Sequence, residues 1–219
     1  MDISVTKHDA VSVITWNEGE NRINFDSLAR LSDIFAELAD EPGPQGVVWT
    51  GAGKFFSNGL DLERFGTDAD EMFETIRRLD HLFGQILVHP GYVIAAINGH
   101  AFAGGAMLTQ TADYRIMRSD RGYWAVNEVD IGMHIPPNMA DVVMCRMPLH
   151  TALEAMNTAR RYSAEEAVAA HIVERAVPGD EVLSQAIEFA AHVAPKNRKA
   201  IAIHKEYVFG DLARRLKSV

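Results

Sequence analysis

Two glycine-containing loops are the segments of this 219-residue sequence whose residue types and spacing could do chemistry. The first spans Phe55 to Leu62 and contains Gly59, and the second spans Ala101 to Met107 and contains Gly104-Gly105. Glycine lets a ligand approach the backbone closely, and a glycine pair that opens a helix presents unpaired N–H groups at the positive end of the helix dipole. Two such N–H groups aimed at one point would form an oxyanion hole. Taken alone, however, each loop favours the simpler interpretation that its glycines permit tight turns or close helix packing.

Other catalytic patterns are missing from the sequence. The segment Thr50 to Lys54 resembles a phosphate loop only superficially, because the spacing is wrong and Phe55 follows the lysine where Ser or Thr would hold a metal. The nine histidines show no zinc-binding spacing, so no metal site is expected. Ser57 lacks the G-x-S-x-G elbow of a nucleophile, and Cys145 lacks a context that would activate its thiol.

The hydrophobic periodicity predicts the elements that must position these loops. Strands and glycine turns alternate with helices, which is typical of an α/β fold built from ββα units with a partly parallel sheet. One helix is expected to begin at Asp26 or Ser27 as its N-cap, and a longer one covers roughly residues 69–88. We expect one structural unit, with a core over residues 1–137 and a mainly helical region over residues 138–219. The predicted strands are Ile3–His8, Val11–Trp16, Val47–Thr50, Tyr92–Ile97, Asp113–Met117 and Tyr123–Val126.

Composition narrows the class of protein further. Hydrophobic residues are 47% and charged residues 23% of the chain, values that are ordinary for a globular protein and argue against disorder or coiled coil. The formal net charge of −9 disfavours binding to nucleic acid or to an acidic membrane surface. A single cysteine, no secretory signal and no apolar run of membrane-spanning length together favour the cytoplasm.

Four segments of the chain carry a family resemblance through their order and spacing. They are Gly53–Leu62, Ile97–Ala101 through Gly104-Gly105, Ala112–Ile116 and Asn127–Met133. Together they resemble the crotonase (enoyl-CoA hydratase/isomerase) superfamily. The resemblance implies a spiral of ββα units with trailing helices, an acyl-CoA thioester as substrate, and assembly as a homotrimer or a dimer of trimers. It implies no cofactor beyond the coenzyme A of the substrate, and no metal.

The resemblance also assigns roles to individual residues. It places the backbone N–H groups of Leu60 and Gly104 in an oxyanion hole around the thioester carbonyl, where each donor stabilises the enolate by roughly 2.7–4 kcal/mol. Lys54 is a second candidate for the phosphates of coenzyme A. The C-terminal helix of a neighbouring subunit offers further cations, namely Lys205, Arg214, Arg215 and Lys217. The expected substrate- or CoA-binding residues are Arg22, Ile23, Ser57, Gly59, Asp61, Leu62 and Met107.

The type of reaction depends on two positions. Hydratases of this superfamily hold a water between two glutamates; here the first position is Met107 and the second is Glu128. A thioether cannot act as a general acid or base, but a double-bond shift needs only one base and no water. The sequence therefore predicts a Δ3,Δ2-enoyl-CoA isomerase in which Glu128, with a raised pKa, shuttles the proton. A hydratase or another acyl-CoA reaction, and a non-catalytic acyl-CoA-binding protein, stay open as alternatives.

Overall fold

The computed structural model describes residues 2–66 and 68–218 of the chain. Its strands are β1 (Ile3–His8), β2 (Val11–Trp16), β3 (Gly46–Gly51), β4 (Phe55–Ser57), β5 (Tyr92–Ile97), β6 (His100–Phe102), β7 (Tyr114–Arg118), β8 (Trp124–Ala125) and β9 (Arg175–Val177). Its helices are α1 (Phe25–Asp40), α2 (Leu62–Phe65), α3 (Ala69–Leu87), α4 (Gly104–Thr111), α5 (Pro137–Met144), α6 (Leu149–Thr158), α7 (Ala164–Ala169), α8 (Val182–Val193) and α9 (Arg198–Lys217). A 3₁₀ turn covers Glu128–Ile131.

A six-stranded sheet in the order β1-β2-β3-β5-β7-β9 forms the centre of the fold. Only the β1–β2 hairpin is antiparallel, and the other four pairings are parallel. Both faces are covered: α8 packs on one through Ala186 and Ala190, while α1 and α3 contribute to the larger core on the other. Burial on both faces explains why β3 and β5 read as continuous apolar runs rather than as alternating patterns.

A second sheet, parallel and three-stranded, has the order β4-β6-β8. Each of its strands follows directly after a strand of the large sheet, so that β3 leads to β4, β5 to β6 and β7 to β8. The chain therefore winds through three successive ββα turns, as the sequence predicted. Because these short strands are parallel, the segments that leave them emerge at one edge of the small sheet.

The start of α1 differs from the prediction. The N-cap is Asn24, not Asp26 or Ser27, and its side chain accepts a hydrogen bond from the Ser27 backbone N–H at 3.0 Å. Ser27 Oγ in turn accepts from the Asn24 backbone N–H at 3.0 Å. Ser27 is therefore the N3 partner of a reciprocal capping box. This pairing places the N-cap two residues before Asp26 and three before Ser27.

The C-terminal region is mainly helical, but it is not separate from the sheet. Its strand β9 pairs with β7 at the edge of the large sheet, and α9 packs along α3. Lys205 of α9 is buried in its own chain, where its ammonium lies 2.7 Å from the Asp113 carboxylate. The expectation that Lys205 binds coenzyme A is therefore wrong, because its charge is already paired. No helix within the described residues combines the length and hydropathy needed to cross a membrane.

Candidate active site

The candidate site is built from the three segments that leave the small sheet. Leu60 follows β4, Gly104 follows β6, and Glu128 follows β8. These are the two glycine loops and the glutamate that the sequence singled out. Their convergence at one edge follows from the parallel pairing of the three strands.

The two glycine loops touch at Gly59. A Cβ placed on this glycine would lie 2.8 Å from Ala103 Cβ and 3.3 Å from the Gly104 backbone nitrogen. Gly59 also has φ +77°, a conformation that side chains rarely adopt. The residue must therefore be glycine both for its backbone angle and for this close approach, which brings the Leu60 and Gly104 segments together.

The backbone donors of Leu60 and Gly104 have no acceptor in the part of the chain that the structure describes. A short parallel β-bridge joins Ile23 to the segment around Leu60. In it, Ile23 N–H donates to the Gly59 carbonyl at 2.7 Å and Asp61 N–H donates to the Ile23 carbonyl at 2.9 Å. The bridge therefore uses the neighbours of Leu60 but not the Leu60 N–H. Gly104 is the first residue of α4, where the N–H groups have no partner within the helix. Among the described residues neither N–H finds an acceptor. Both are available to a bound oxygen atom.

A cavity of about 280 Å³ joins these donors to Glu128. Its wall combines the two backbone donors with apolar side chains, two side-chain amides and two carboxylates. The lining residues are Arg22, Asn58, Leu60, Leu62, Glu63, Ala103, Gly104, Asn127, Glu128, Ile131 and Met133.

Glu128 is a half-buried carboxylate on the cavity wall. It opens the 3₁₀ turn after β8, and its Oε2 atom is buried with no hydrogen-bond partner among the described residues. Burial raises the pKa of Glu128 from 4.5 to about 7, because the charged form loses its hydration without gaining a cation. Near neutral pH this side chain can exist in both protonation states, which a group that takes and returns a proton requires.

Arg22 lies at the mouth of the cavity but is engaged by three carboxylates. Its Nε donates to Glu20 Oε2 at 2.8 Å, and its Nη1 lies 3.4 Å from Asp61 Oδ1 and 3.2 Å from Glu63 Oε2. The pairing with Glu20 contributes most to raising the pKa of Arg22. Any phosphate that bound Arg22 would have to compete with these partners.

Three other predicted site residues lie inside the protein rather than on the cavity wall. Ile23 and Ser57 are fully buried, and Ser57 Oγ donates to the Asn21 carbonyl at 2.7 Å, which fixes the first glycine loop. Met107 is 1% exposed and belongs to the main hydrophobic core. The position of the first hydratase glutamate is thus filled by an apolar core side chain.

Sequence reasoning missed several residues of the wall. Asn58 lies within the first loop, and Ile131 and Met133 follow Glu128 along the chain. Asn127 is the residue immediately before Glu128. It belongs, with Ile131 and Met133, to the segment Asn127–Met133 that carries the family resemblance, and this membership is the signal that could have drawn attention to it.

Comparisons with known proteins agree with this geometry. The sequence profile described as enoyl-CoA hydratase/isomerase matches residues 6–219. Enoyl-CoA delta isomerase 3 of Arabidopsis thaliana is 30% identical over 207 residues, which cover 90% of this chain and 87% of that protein. Carnitinyl-CoA dehydratase of Proteus mirabilis is 33% identical over 208 residues, covering 92% and 77% respectively.

A solved structure shows the same fold. The probable enoyl-CoA hydratase of Mycobacterium tuberculosis superposes with a TM-score of 0.91 at 27% identity, covering 99% of this chain and 92% of that one. This fold and the match to that sequence profile define a crotonase-type enzyme. The chain belongs to the enoyl-CoA hydratase/isomerase family.

Proposed function

We propose that this enzyme shifts the double bond of a 3-enoyl-CoA to give a trans-2-enoyl-CoA. The observation that carries the proposal is Glu128, the one carboxylate among the described residues of the cavity wall with an oxygen that is buried without a hydrogen-bond partner. The other carboxylate of the wall belongs to Glu63, whose side chain is 83% exposed and paired with Arg22. One buried base suits a reaction that moves one proton.

The proposed mechanism uses the ionised form of Glu128 first. Its carboxylate removes a proton from C2 of the thioester, and the electron pair of that C–H bond delocalises onto the carbonyl oxygen. The N–H groups of Leu60 and Gly104 stabilise the resulting dienolate. The neutral carboxyl of Glu128 then gives the proton to C4 as the electrons return, which forms the C2–C3 double bond and restores the carboxylate.

The raised pKa of Glu128 supports both halves of this cycle. A carboxylate with a pKa near 7 is a stronger base than one with a pKa of 4.5, and its conjugate acid is still acidic enough to release the proton. Ile131 and Met133 make the part of the wall that follows Glu128 apolar, which favours a reaction that needs no bound water.

A hydratase or dehydratase is the second candidate, because relatives with those names share the fold. Such a reaction requires an acid to act on the oxygen at C3 in addition to the base. Met107 supplies no such group, and the cavity wall offers in its place only the exposed Glu63. These observations favour the isomerase.

Binding of the coenzyme A part is also included in the proposal. Lys54 is exposed, and its ammonium lies 5.3 Å from the centre of the Phe55 ring without a carboxylate partner in the described chain. It is a freer cation for a phosphate than Arg22, which already contacts three carboxylates. We expect the enzyme to act as a homotrimer or a dimer of trimers, which sedimentation of the purified protein would test.

The reaction is tested with two substrates. Wild-type protein added to 3-hexenoyl-CoA should increase the absorbance of the conjugated 2-enoyl thioester. The same protein added to trans-2-hexenoyl-CoA should leave most of that absorbance in place, whereas a hydratase would remove it. No increase with 3-enoyl-CoAs of several chain lengths, or rapid loss with the 2-enoyl-CoA, would contradict the proposal.

A further inference from the structure

The outer face of the small sheet carries a layer of rings that the proposed reaction does not use. In β6 the side chain of Ala101 is buried in the core, so His100 and Phe102 lie on the opposite face, where both are half-buried. The centre of the His100 ring lies 4.8 Å from that of Phe102 and 5.3 Å from that of Phe55 in β4. The ring of Tyr123, directly before β8, lies 5.9 Å from His100 on the same layer. These four rings form what we call the aromatic face.

Three exposed cations surround the aromatic face, and none of them forms an ion pair with another described residue. They are Lys54, Arg121 and Arg161. Burial, and then the charges of these three cations, lower the pKa of His100, which shows how closely they gather around it. The nearest carboxylate along the chain, that of Asp120, is held by Arg118 instead. On a chain with a net charge of −9, such a cluster is a local site for an anion.

The cations cover some rings of the aromatic face and leave one open. The Lys54 ammonium lies 5.3 Å from the centre of the Phe55 ring, and the Arg161 guanidinium lies 5.7 Å from that of Phe102. Tyr123 is 43% exposed, and no cation of the described chain lies over its ring. An exposed ring without a covering cation is a platform on which a planar ligand can stack.

Hydrogen-bond donors without acceptors lie beside Tyr123. Arg121 Nη2 donates to the Gly53 carbonyl at 3.2 Å, which holds this guanidinium next to Lys54 and leaves its other N–H groups unused. The Tyr123 backbone N–H donates to His100 Nδ1 at 3.2 Å, so the neutral imidazole carries its hydrogen on Nε2. That Nε2–H finds no acceptor in the described part of the chain. The platform and the anion-binding groups are therefore adjacent.

We propose that the aromatic face binds a free purine nucleoside triphosphate, with the base stacked on Tyr123 and the phosphates at Arg121. An acidic peptide would use the cations but not the open ring, and an apolar ligand would use the ring but not the cations. A nucleotide uses both, because it joins a planar base to an anion that guanidinium groups bind well. Neither Tyr123 nor Arg121 lines the active-site cavity. The site is thus separate from the reacting centre, and the proposed isomerisation does not depend on it.

The test compares the whole nucleotide with its two halves. Calorimetric titration in buffer without divalent cations measures the binding of ATP, of inorganic tripolyphosphate and of adenosine to the wild-type protein. ATP should bind about tenfold more tightly than either half, because the base and the phosphates contact different groups.

Single substitutions then locate the site. Tyr123→Ser should weaken ATP binding about tenfold and leave tripolyphosphate binding unchanged, whereas Tyr123→Phe, which keeps the ring, should retain the wild-type affinity. Arg121→Ser should weaken both ligands. Tyr207→Ser and Arg30→Ser are matched controls, because they remove an exposed ring from α9 and an exposed cation from α1. Both controls should bind ATP as wild type does.

Three results would overturn the inference. Absence of ATP binding at millimolar concentration would show that the aromatic face holds no nucleotide. Equal affinities for ATP and tripolyphosphate would show that the rings take no part in recognition. ATP binding that survives both Tyr123→Ser and Arg121→Ser would place the nucleotide elsewhere, the coenzyme A site included. The conversion of 3-hexenoyl-CoA is measured separately, so none of these results decides the isomerase proposal.

Discussion

Glu128 and Asp113 are both carboxylates withdrawn from solvent, but their surroundings are opposite. Asp113 accepts hydrogen bonds from Lys205 Nζ at 2.7 Å, from Arg146 Nη2 at 3.1 Å and from the Val93 backbone N–H at 2.8 Å. Glu128 has a buried oxygen, Oε2, that finds no hydrogen-bond partner within the described chain. The first carboxylate ties α9 and the segment after α5 to the large sheet, whereas the second faces a cavity.

The difference separates a carboxylate that stabilises the fold through its partners from one that has a free oxygen facing a cavity. Buried charge is tolerated in a structural role when it is paired, as in the Asp113 cluster. An unpaired buried carboxylate destabilises the folded state and persists where a ligand or a reaction uses it. The following predictions substitute single residues in the Asp113 cluster and in the candidate site around Glu128.

The largest effect on stability is expected from Lys205→Met. The variant removes the ammonium and leaves the buried Asp113 carboxylate short of a cation, which should lower the free energy of unfolding by about 3–5 kcal/mol. Chemical denaturation measures this change. Lys199→Met, on the exposed surface of the same helix, should have little effect; equal losses in the two variants would show that the Asp113 pairing is not responsible.

The next largest effect is expected at the contact between the glycine loops. In Gly59→Ala the new Cβ would lie 2.8 Å from Ala103 Cβ and push the Leu60 and Gly104 segments apart. Misplacing one oxyanion donor should lower kcat roughly 10²–10³-fold. Gly53→Ala is the matched control, because Gly53 also has positive φ (+69°) but no atom within 4 Å of the Cβ that alanine would add. If both variants lose kcat equally, backbone strain rather than displacement of the donors is the cause.

Glu128→Gln should increase stability, in contrast to Lys205→Met. Because the folded state raises the pKa of Glu128 from 4.5 to about 7, ionisation destabilises the fold, fully so above pH 7 and not at all below about pH 4. The neutral variant should therefore be more stable than wild type by about 1–3 kcal/mol at pH 8 and equal to it near pH 4. Thermal or chemical unfolding at the two pH values measures the difference, and a variant that is less stable at pH 8 would refute an unpaired Glu128.

The smallest effect is a pH dependence of the rate. The base acts in its ionised form, so kcat/KM should rise about tenfold per pH unit below pH 7 and level off above it. The profile is measured with 3-hexenoyl-CoA between pH 5.5 and 9. A rate that is constant over this range would place the pKa of the essential base near that of an ordinary glutamate.

The sequence predicted the long elements of the fold well, because their patterns are set locally. The bounds of β1, β2 and β5 agree with the alternation or apolar runs that predicted them. The three-residue strands β4 and β6 were expected to be loops, because they are too short to show a strand pattern and are defined by their pairing within the small sheet. The N-cap of α1 was misplaced because Ser27 serves in the capping box as the partner of Asn24.

The candidate site was partly predictable, because some of its residues also stand in local sequence patterns. Glycine marks the loops that present Leu60 and Gly104, and the family resemblance indicates Glu128. No sequence pattern records that Arg22 contacts three carboxylates, that Met107 is in the core, or that the Asn127 side chain lacks a cap bond. These are properties of the tertiary arrangement.

The most direct test of the account compares two carboxylates of one cavity. Conversion of 3-hexenoyl-CoA is measured for wild type, Glu128→Gln and Glu63→Gln under the same conditions. If Glu128 is the proton carrier, Glu128→Gln should lose at least about 100-fold in kcat while Glu63→Gln stays within a few-fold of wild type. Full activity in Glu128→Gln, or an equal loss in Glu63→Gln, would contradict a mechanism in which one buried glutamate moves the proton.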